Sequence, residues 1–117
     1  MKIRLVLILS LALIPQDLFA QKEAWNWYFG DQAGVNFSTG SPIPLTNNAC
    51  LTNEGVATIS DTLGNLLFYT DGSNVYDATH DTMPNGAGLL GHPSSTQSAI
   101  IVKKPGSTNL YYIFTVD

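Results

Sequence analysis

Four side chains capable of metal or acid/base chemistry fall close together, at Asp71, Asp77, His80 and Asp81. An oxygen-rich loop of this kind could hold calcium in an extracellular protein, because that hard ion takes its ligands from carboxylates and carbonyls. The spacing fits no EF-hand loop, however, and Asp71 followed by Gly72 is first of all a turn dipeptide. Asp77 and Asp81 flank a loop, and His80 and His92 are too few and too differently set for a zinc site. Ser94, Ser95, Thr96 and Gln97 lack the Gly-x-Ser-x-Gly setting of an activated nucleophile and read as a hydrogen-bonding loop. Cys50 has no second cysteine to pair with, so it reads as a small buried apolar residue. No catalytic, metal-binding or cofactor-binding residue is assigned from these patterns.

The elements that must position those residues centre on residues 56–77, VATISDTLGNLLFYTDGSNVYD. Residues 56–60 are β-branched at Val56, Thr58 and Ile59, and residues 66–70 open on four consecutive apolar positions, as in a strand covered on both faces. Asp61 to Asn65 connect them, with Gly64 supplying a positive φ, and Asp71-Gly72 starts the next reversal. This is a β-meander with a central second strand.

Upstream, Lys2 and Arg4 precede an apolar run over residues 5–14 and a short stretch ending at Ala20. That succession is a secretory signal peptide over residues 1–20, with cleavage expected after Ala20, and the run is too short to span a bilayer. Residues 21–117 then form one small domain, or part of one, with no membrane span. It keeps three lysines against eight carboxylates, a net charge of −5, which argues against a nucleic-acid partner. Trp25, Trp27 and Phe29 alternate with Asn26 and Tyr28, and this aromatic row reads as the first layer of a β core in preference to a sugar-stacking platform. Residues 39–53 hold Pro42 and Pro44 and read as a loop or edge segment. Residues 78–97 have no strand-length apolar run and read as a long loop. Two more strands follow at 98–102 and 110–116, joined through Pro105-Gly106, the type II turn dipeptide.

These last strands echo the meander. Ala57 and Ile59 match Ala99 and Ile101 at a spacing of 42, and Leu66 matches Leu110 at 44. A β unit recurring at that interval has the period of β-propeller blades. The expected fold class is therefore all-β, an antiparallel meander of propeller-like blades. Two or three such units are too few to close a ring, so the stretch reads as the N-terminal part of a larger propeller. Residues 60–68 are similar to the Asp-box of sialidase-like propellers, although Ser60 and Asp61 are adjacent and Gly64 follows by three, which departs from that spacing.

Three strings carry a family resemblance: WNWYFGDQAGVNFS, NEGVATISDTLGNLLFYTDGSNVYD and MPNGAGLLGHPSSTQSAIIVKKPGSTNLYYIFTVD. From about Trp25 onward the chain resembles the N-terminal region of large secreted proteins of Bacteroidetes. Such proteins continue through a propeller-like region, often into PKD repeats, and finish in a gliding-motility-associated C-terminal domain that serves as a type IX secretion sorting signal. The resemblance implies an exported surface protein of adhesion type that uses the export machinery and binds carbohydrate or a cell-surface protein. It carries over no catalytic residue. The alternatives are part of a secreted polysaccharide-active hydrolase, which would need two carboxylates about 5 to 10 Å apart, and a purely structural surface domain.

Overall fold

The computed structural model describes residues 22–92 and 94–117. The leader expected over residues 1–20 lies outside them. Among the described residues, one 3₁₀ turn, Lys22–Ala24, precedes nine strands: β1 (Asn26–Tyr28), β2 (Gly34–Asn36), β3 (Ile43–Leu45), β4 (Ala57–Ser60), β5 (Leu66–Thr70), β6 (Asn74–Asp77), β7 (Thr82–Ala87), β8 (Ala99–Lys103) and β9 (Tyr111–Thr115). They form three antiparallel sheets, β1-β2-β3, β4-β5-β6-β7 and β8-β9, which are not closed into a ring. Among the described residues, no helix is long and apolar enough to cross a membrane.

The β4–β7 sheet is the expected meander, with β5 at its interior. Asp61 Oδ1 accepts the N–H groups of Leu63 (2.8 Å) and Asn65 (2.9 Å), closing the β4–β5 turn around Gly64 at φ +89. Gly72, at φ +90, opens the β5–β6 turn. A β-branched residue would be strained at either angle.

The fourth strand corrects the reading of residues 78–97 as one loop. β7 carries Pro84, Asn85 and Gly86 and shows no apolar alternation. It still pairs with β6 because its register breaks between Asn74↔Ala87 and Tyr76↔Thr82, so a bulge takes up the surplus residues, with Asn85 at φ +60. As an edge strand it tolerates a proline that a central strand would reject. The segment 39–53 behaves as expected, since β3 with Pro44 is the edge of its sheet.

The aromatic row in β1 faces the other way from expectation. Asn26 and Tyr28 are buried, whereas Trp27 and Phe29 are 50% and 46% exposed. The reason is the work done by the inward pair. Asn26 Nδ2 donates to Ser60 Oγ (2.9 Å) and Gly64 O (3.0 Å), and its Oδ1 accepts from Asn36 Nδ2 (2.7 Å). Tyr28 lies 4.9 Å from the Tyr69 ring. A buried amide with its hydrogen bonds made costs little, and once it points inward the period of two sends Trp27 outward.

β4–β7 lies between the other two sheets. Thr58, Tyr69 and Tyr76, cross-strand neighbours on one face, meet Tyr28 and the buried Cys50, with Leu45, Val56 and Leu66 packed around them. On the opposite face, Phe68 meets Tyr111 edge-on at 5.4 Å, and a cleft lined by Val75, Met83 and Ile113 continues the contact. Ser98 Oγ donates to Gly55 O and ties β8 to the approach to β4.

The echo is real at its start and slips at its end. Ala57↔Thr70 in β4–β5 corresponds to Ala99↔Thr115 in β8–β9, an offset of 42 on the first strand and 45, not 44, on the second. The connection occupies residues 104–110, closed by Lys104 N to Leu110 O (2.9 Å), so the strand expected from Leu110 begins at Tyr111. Within it, Ser107 N donates to Lys104 O (3.1 Å) across Gly106 at φ +75, the expected type II turn.

Candidate functional site

The acidic cluster is dispersed by the fold. Asp71 is buried at the β5–β6 turn, where Oδ1 accepts from Ser73 N (2.9 Å) and Asn74 N (2.7 Å) and Oδ2 from the Tyr76 hydroxyl (3.3 Å). Asp77 ends β6, at the strand's other end, and with Asp81 brackets the β6–β7 turn. Asp77 Oδ1 accepts from Thr79 N (2.8 Å), Thr79 Oγ1 (2.7 Å) and Asp81 N (3.2 Å), which holds its carboxyl below the usual carboxylate range. Among the described residues, no group of three or more His, Cys, Asp or Glu side chains converges in a way that could hold a metal ion.

His80 parts company with its acidic neighbours. At φ +71 its ring turns inward, edge-on to Tyr28 at 5.8 Å. Its Nδ1 lies 3.1 Å from the Tyr69 hydroxyl and its Nε2 lies 2.7 Å from Asn47 Nδ2, while Asn47 Oδ1 accepts weakly from the Tyr28 hydroxyl at 3.5 Å. The Tyr69 hydroxyl also accepts from Ala49 N (2.9 Å). This chain of polar groups ties the 47–50 segment onto the sheet, and its partners satisfy one another. Sequence reasoning missed it because Asn47 and His80 are 33 residues apart and neither carries a local signal.

Cys50 is fully buried beside these rings. Burial, helped by the Asp71 charge, pushes its thiol up to about 12, so the thiolate that a nucleophile needs is suppressed. Burial likewise raises Tyr69 and Tyr76 to about 12. The serine-rich loop acts as a hydrogen-bonding loop, with Ser95 N donating to His92 O (3.0 Å) and Ser94 N to His92 Nδ1 (3.1 Å).

The outer face of β1 is one of the surfaces left open to solvent. Trp27 and Phe29 border a cleft of about 370 Å³ between β1 and β4, whose lining includes Glu23, Val56, Thr58 and Ile59. The indole is fixed from below, because Nε1–H donates to Ala24 O (2.7 Å) and Phe37 packs on the ring edge-on at 5.7 Å. Thr58 Oγ1 accepts from Tyr28 N (3.2 Å). A held aromatic plane beside a carboxylate and a hydroxyl can stack an apolar ring face and hydrogen-bond its polar rim. A neighbouring cleft of about 570 Å³ brings Glu23 and Asp61 into one lining. Asp61 is no general acid there. Its Oδ2 accepts from Asn65 Nδ2 (2.9 Å) while Oδ1 closes the turn, and these bonds hold its carboxyl below the usual range.

No family model matches the chain, and neither a curated protein nor a solved structure is significantly similar to it.

Proposed function

We propose that this chain is part of an exported, propeller-like surface protein that works by binding, and that the outer face of β1 takes carbohydrate. The observation that carries the reading is the outward, half-exposed pair Trp27 and Phe29 beside Glu23 and Thr58. An aromatic pair at alternate strand positions, with its indole already fixed, loses little freedom when a sugar ring stacks on it. The scaffold part of the proposal draws support from the four-stranded meander β4–β7, which has the strand number of a propeller blade, and from its place between two further sheets. Export rests on the charged, apolar and small-residue order of residues 1–20, and membership among the secreted Bacteroidetes surface proteins on the three strings quoted above.

The test is calorimetric titration of the chain against neutral and acidic oligosaccharides, run on the parent and on Trp27→Ala. The stacked ring contributes about 1 kcal/mol or more, so the variant should bind at least about fivefold more weakly. Its melting temperature should stay close to the parent's, since the side chain is half outside. Equal binding by both proteins, or hydrolysis of the oligosaccharide, would sink the proposal.

A further inference from the structure

The short turn Lys22–Ala24 does two jobs. Closed by Trp25 N donating to Lys22 O (3.0 Å), it braces the Trp27 indole through Ala24 O and carries Glu23. It is seated on the β4–β5 turn, because the Trp25 ring fills the space beside Gly64 and Asn26 Nδ2 donates to Gly64 O (3.0 Å). Glu23 therefore stands where two clefts adjoin. One is the cleft of about 370 Å³ bordered by Trp27 and Phe29, the other the cleft of about 570 Å³ between β4–β5 and β8–β9, and Glu23 and Ile59 line both.

The second cleft is built like the first. Its floor is aromatic and apolar, formed by Leu67, Phe68 and Tyr111, with Tyr111 edge-on to Phe68 at 5.4 Å. Ile59 pairs with Phe68 across β4 and β5, so this floor reaches the wall shared with the first cleft. Lys103 stands opposite Tyr111 in the β8–β9 ladder, and Asp61, Thr62 and Asn109 complete a polar rim. Each volume lies within the range of about 300–1,000 Å³ in which pockets hold a whole small molecule, so a ligand that occupies both is longer than one that fills either.

We propose that the two clefts act as one groove for a linear, neutral oligosaccharide longer than a disaccharide. The ligand class rests on the carbohydrate reading of the Trp27 face, which the second cleft extends. One sugar ring stacks on Trp27, a further unit lies over the floor of Phe68 and Tyr111, and Glu23 sits between them. A carboxylate only accepts hydrogen bonds, so the ligand must offer donors at that point, which sugar hydroxyls do and the carboxylate of a uronic acid does not. Asp61 adds a second negative charge to the same stretch, while Lys103 donates at the far end. An acidic chain would thus meet like charge at its centre. Filling the second subsite is an intramolecular event once the first is held, so affinity grows with ligand length until both are occupied.

The test is calorimetric titration of the purified chain against neutral hexasaccharides of glucose, mannose, galactose and N-acetylglucosamine, followed by the shorter members of whichever series binds. Affinity should rise at least about tenfold from disaccharide to hexasaccharide. Glu23→Gln and Lys103→Ala each remove a charged hydrogen-bonding group and should weaken the hexasaccharide at least about tenfold, and Lys103→Ala should weaken it more than the disaccharide. Melting temperatures of both variants should stay close to the parent's, which separates lost binding from lost folding. A hexasaccharide of galacturonic acid should bind the parent more weakly than the neutral one, and the gap should narrow in Glu23→Gln. If the hexasaccharide binds no tighter than the disaccharide, or is untouched by Lys103→Ala, while Trp27→Ala still lowers affinity, the single groove is overturned and the Trp27 site stands. Absence of binding in every series removes both.

Discussion

The hairpins β4–β5 and β8–β9 start from the same pattern and meet different fates. Both pair an alanine with a threonine at one end, Ala57↔Thr70 and Ala99↔Thr115, and both turn through a glycine at positive φ. In the first, Tyr69 and Thr70 are completely buried, because one face meets Tyr28 and Cys50, the other meets Tyr111, and β6 fills the outer edge of β5. In the second, Phe114 is 57% exposed and the edge is bare. Strand formation needs the β-branched and aromatic residues that both possess, whereas stability depends on how much apolar surface the surroundings remove from water.

The largest expected difference between them lies in truncation of an aromatic. Tyr69→Ala should destabilise by about 3–5 kcal/mol, by analogy with buried aromatic deletions, and also take away the partner of the Ala49 N–H and of His80 Nδ1. Phe114→Ala should stay within about 0.5 kcal/mol. Urea titrations of the two variants settle the matter, and equal losses would show that the second hairpin is as covered as the first.

The turn glycines sharpen the contrast at smaller scale. A Cβ at Gly64 would lie 2.2 Å from the Trp25 ring, while one at Gly106 would meet nothing within 4 Å, and both residues have positive φ. Gly106→Ala should therefore cost about 1 kcal/mol from backbone strain alone. Gly64→Ala should cost roughly 1–3 kcal/mol more, because Trp25 must move off the turn that Asn26 holds. Thermal melts of the pair in parallel would expose an error if the two costs came out alike.

The comparison extends to pH dependence at alkaline pH, which belongs to the covered region alone. Cys50, Tyr69 and Tyr76 have folded values raised to about 12 from ordinary values of 9, 10 and 10. Below pH 9 the folded and unfolded chains hold these protons equally, and their contribution to stability is fully present. As pH climbs from 9 toward 12 the unfolded chain ionises first, so stability is lost through that window. Urea midpoints should fall over it, and less steeply in Tyr76→Phe. A midpoint that held constant to pH 11 would contradict the burial of these groups.

Much of this arrangement is legible in the chain itself. The β class, the centrality of residues 66–70, the turns at Gly64, Gly72 and Gly106, and the edge role of Pro44 follow from side-chain period, branching and the φ that only glycine adopts cheaply. These are local properties, and a local reading reaches them. β7 was illegible because a bulge absorbed the residues that spoiled its alternation.

The direction of β1 was decided elsewhere. Alternation says that Trp27 and Asn26 face opposite ways, but not which faces the core, and hydrophobicity favours the wrong choice. Asn26 turns inward because Ser60 of β4 and Gly64 of the β4–β5 turn meet it across the sheets while Asn36 meets it from β2, and the first two are there only after the sheets have stacked. The same holds for the inward turn of His80 onto Tyr69 and for the separation of Asp71 from Asp77 and Asp81. Sequence fixes which side chains can share a face, through the period of the backbone. Only the tertiary structure selects the face, because the partners that make burial of a polar group affordable lie tens of residues away.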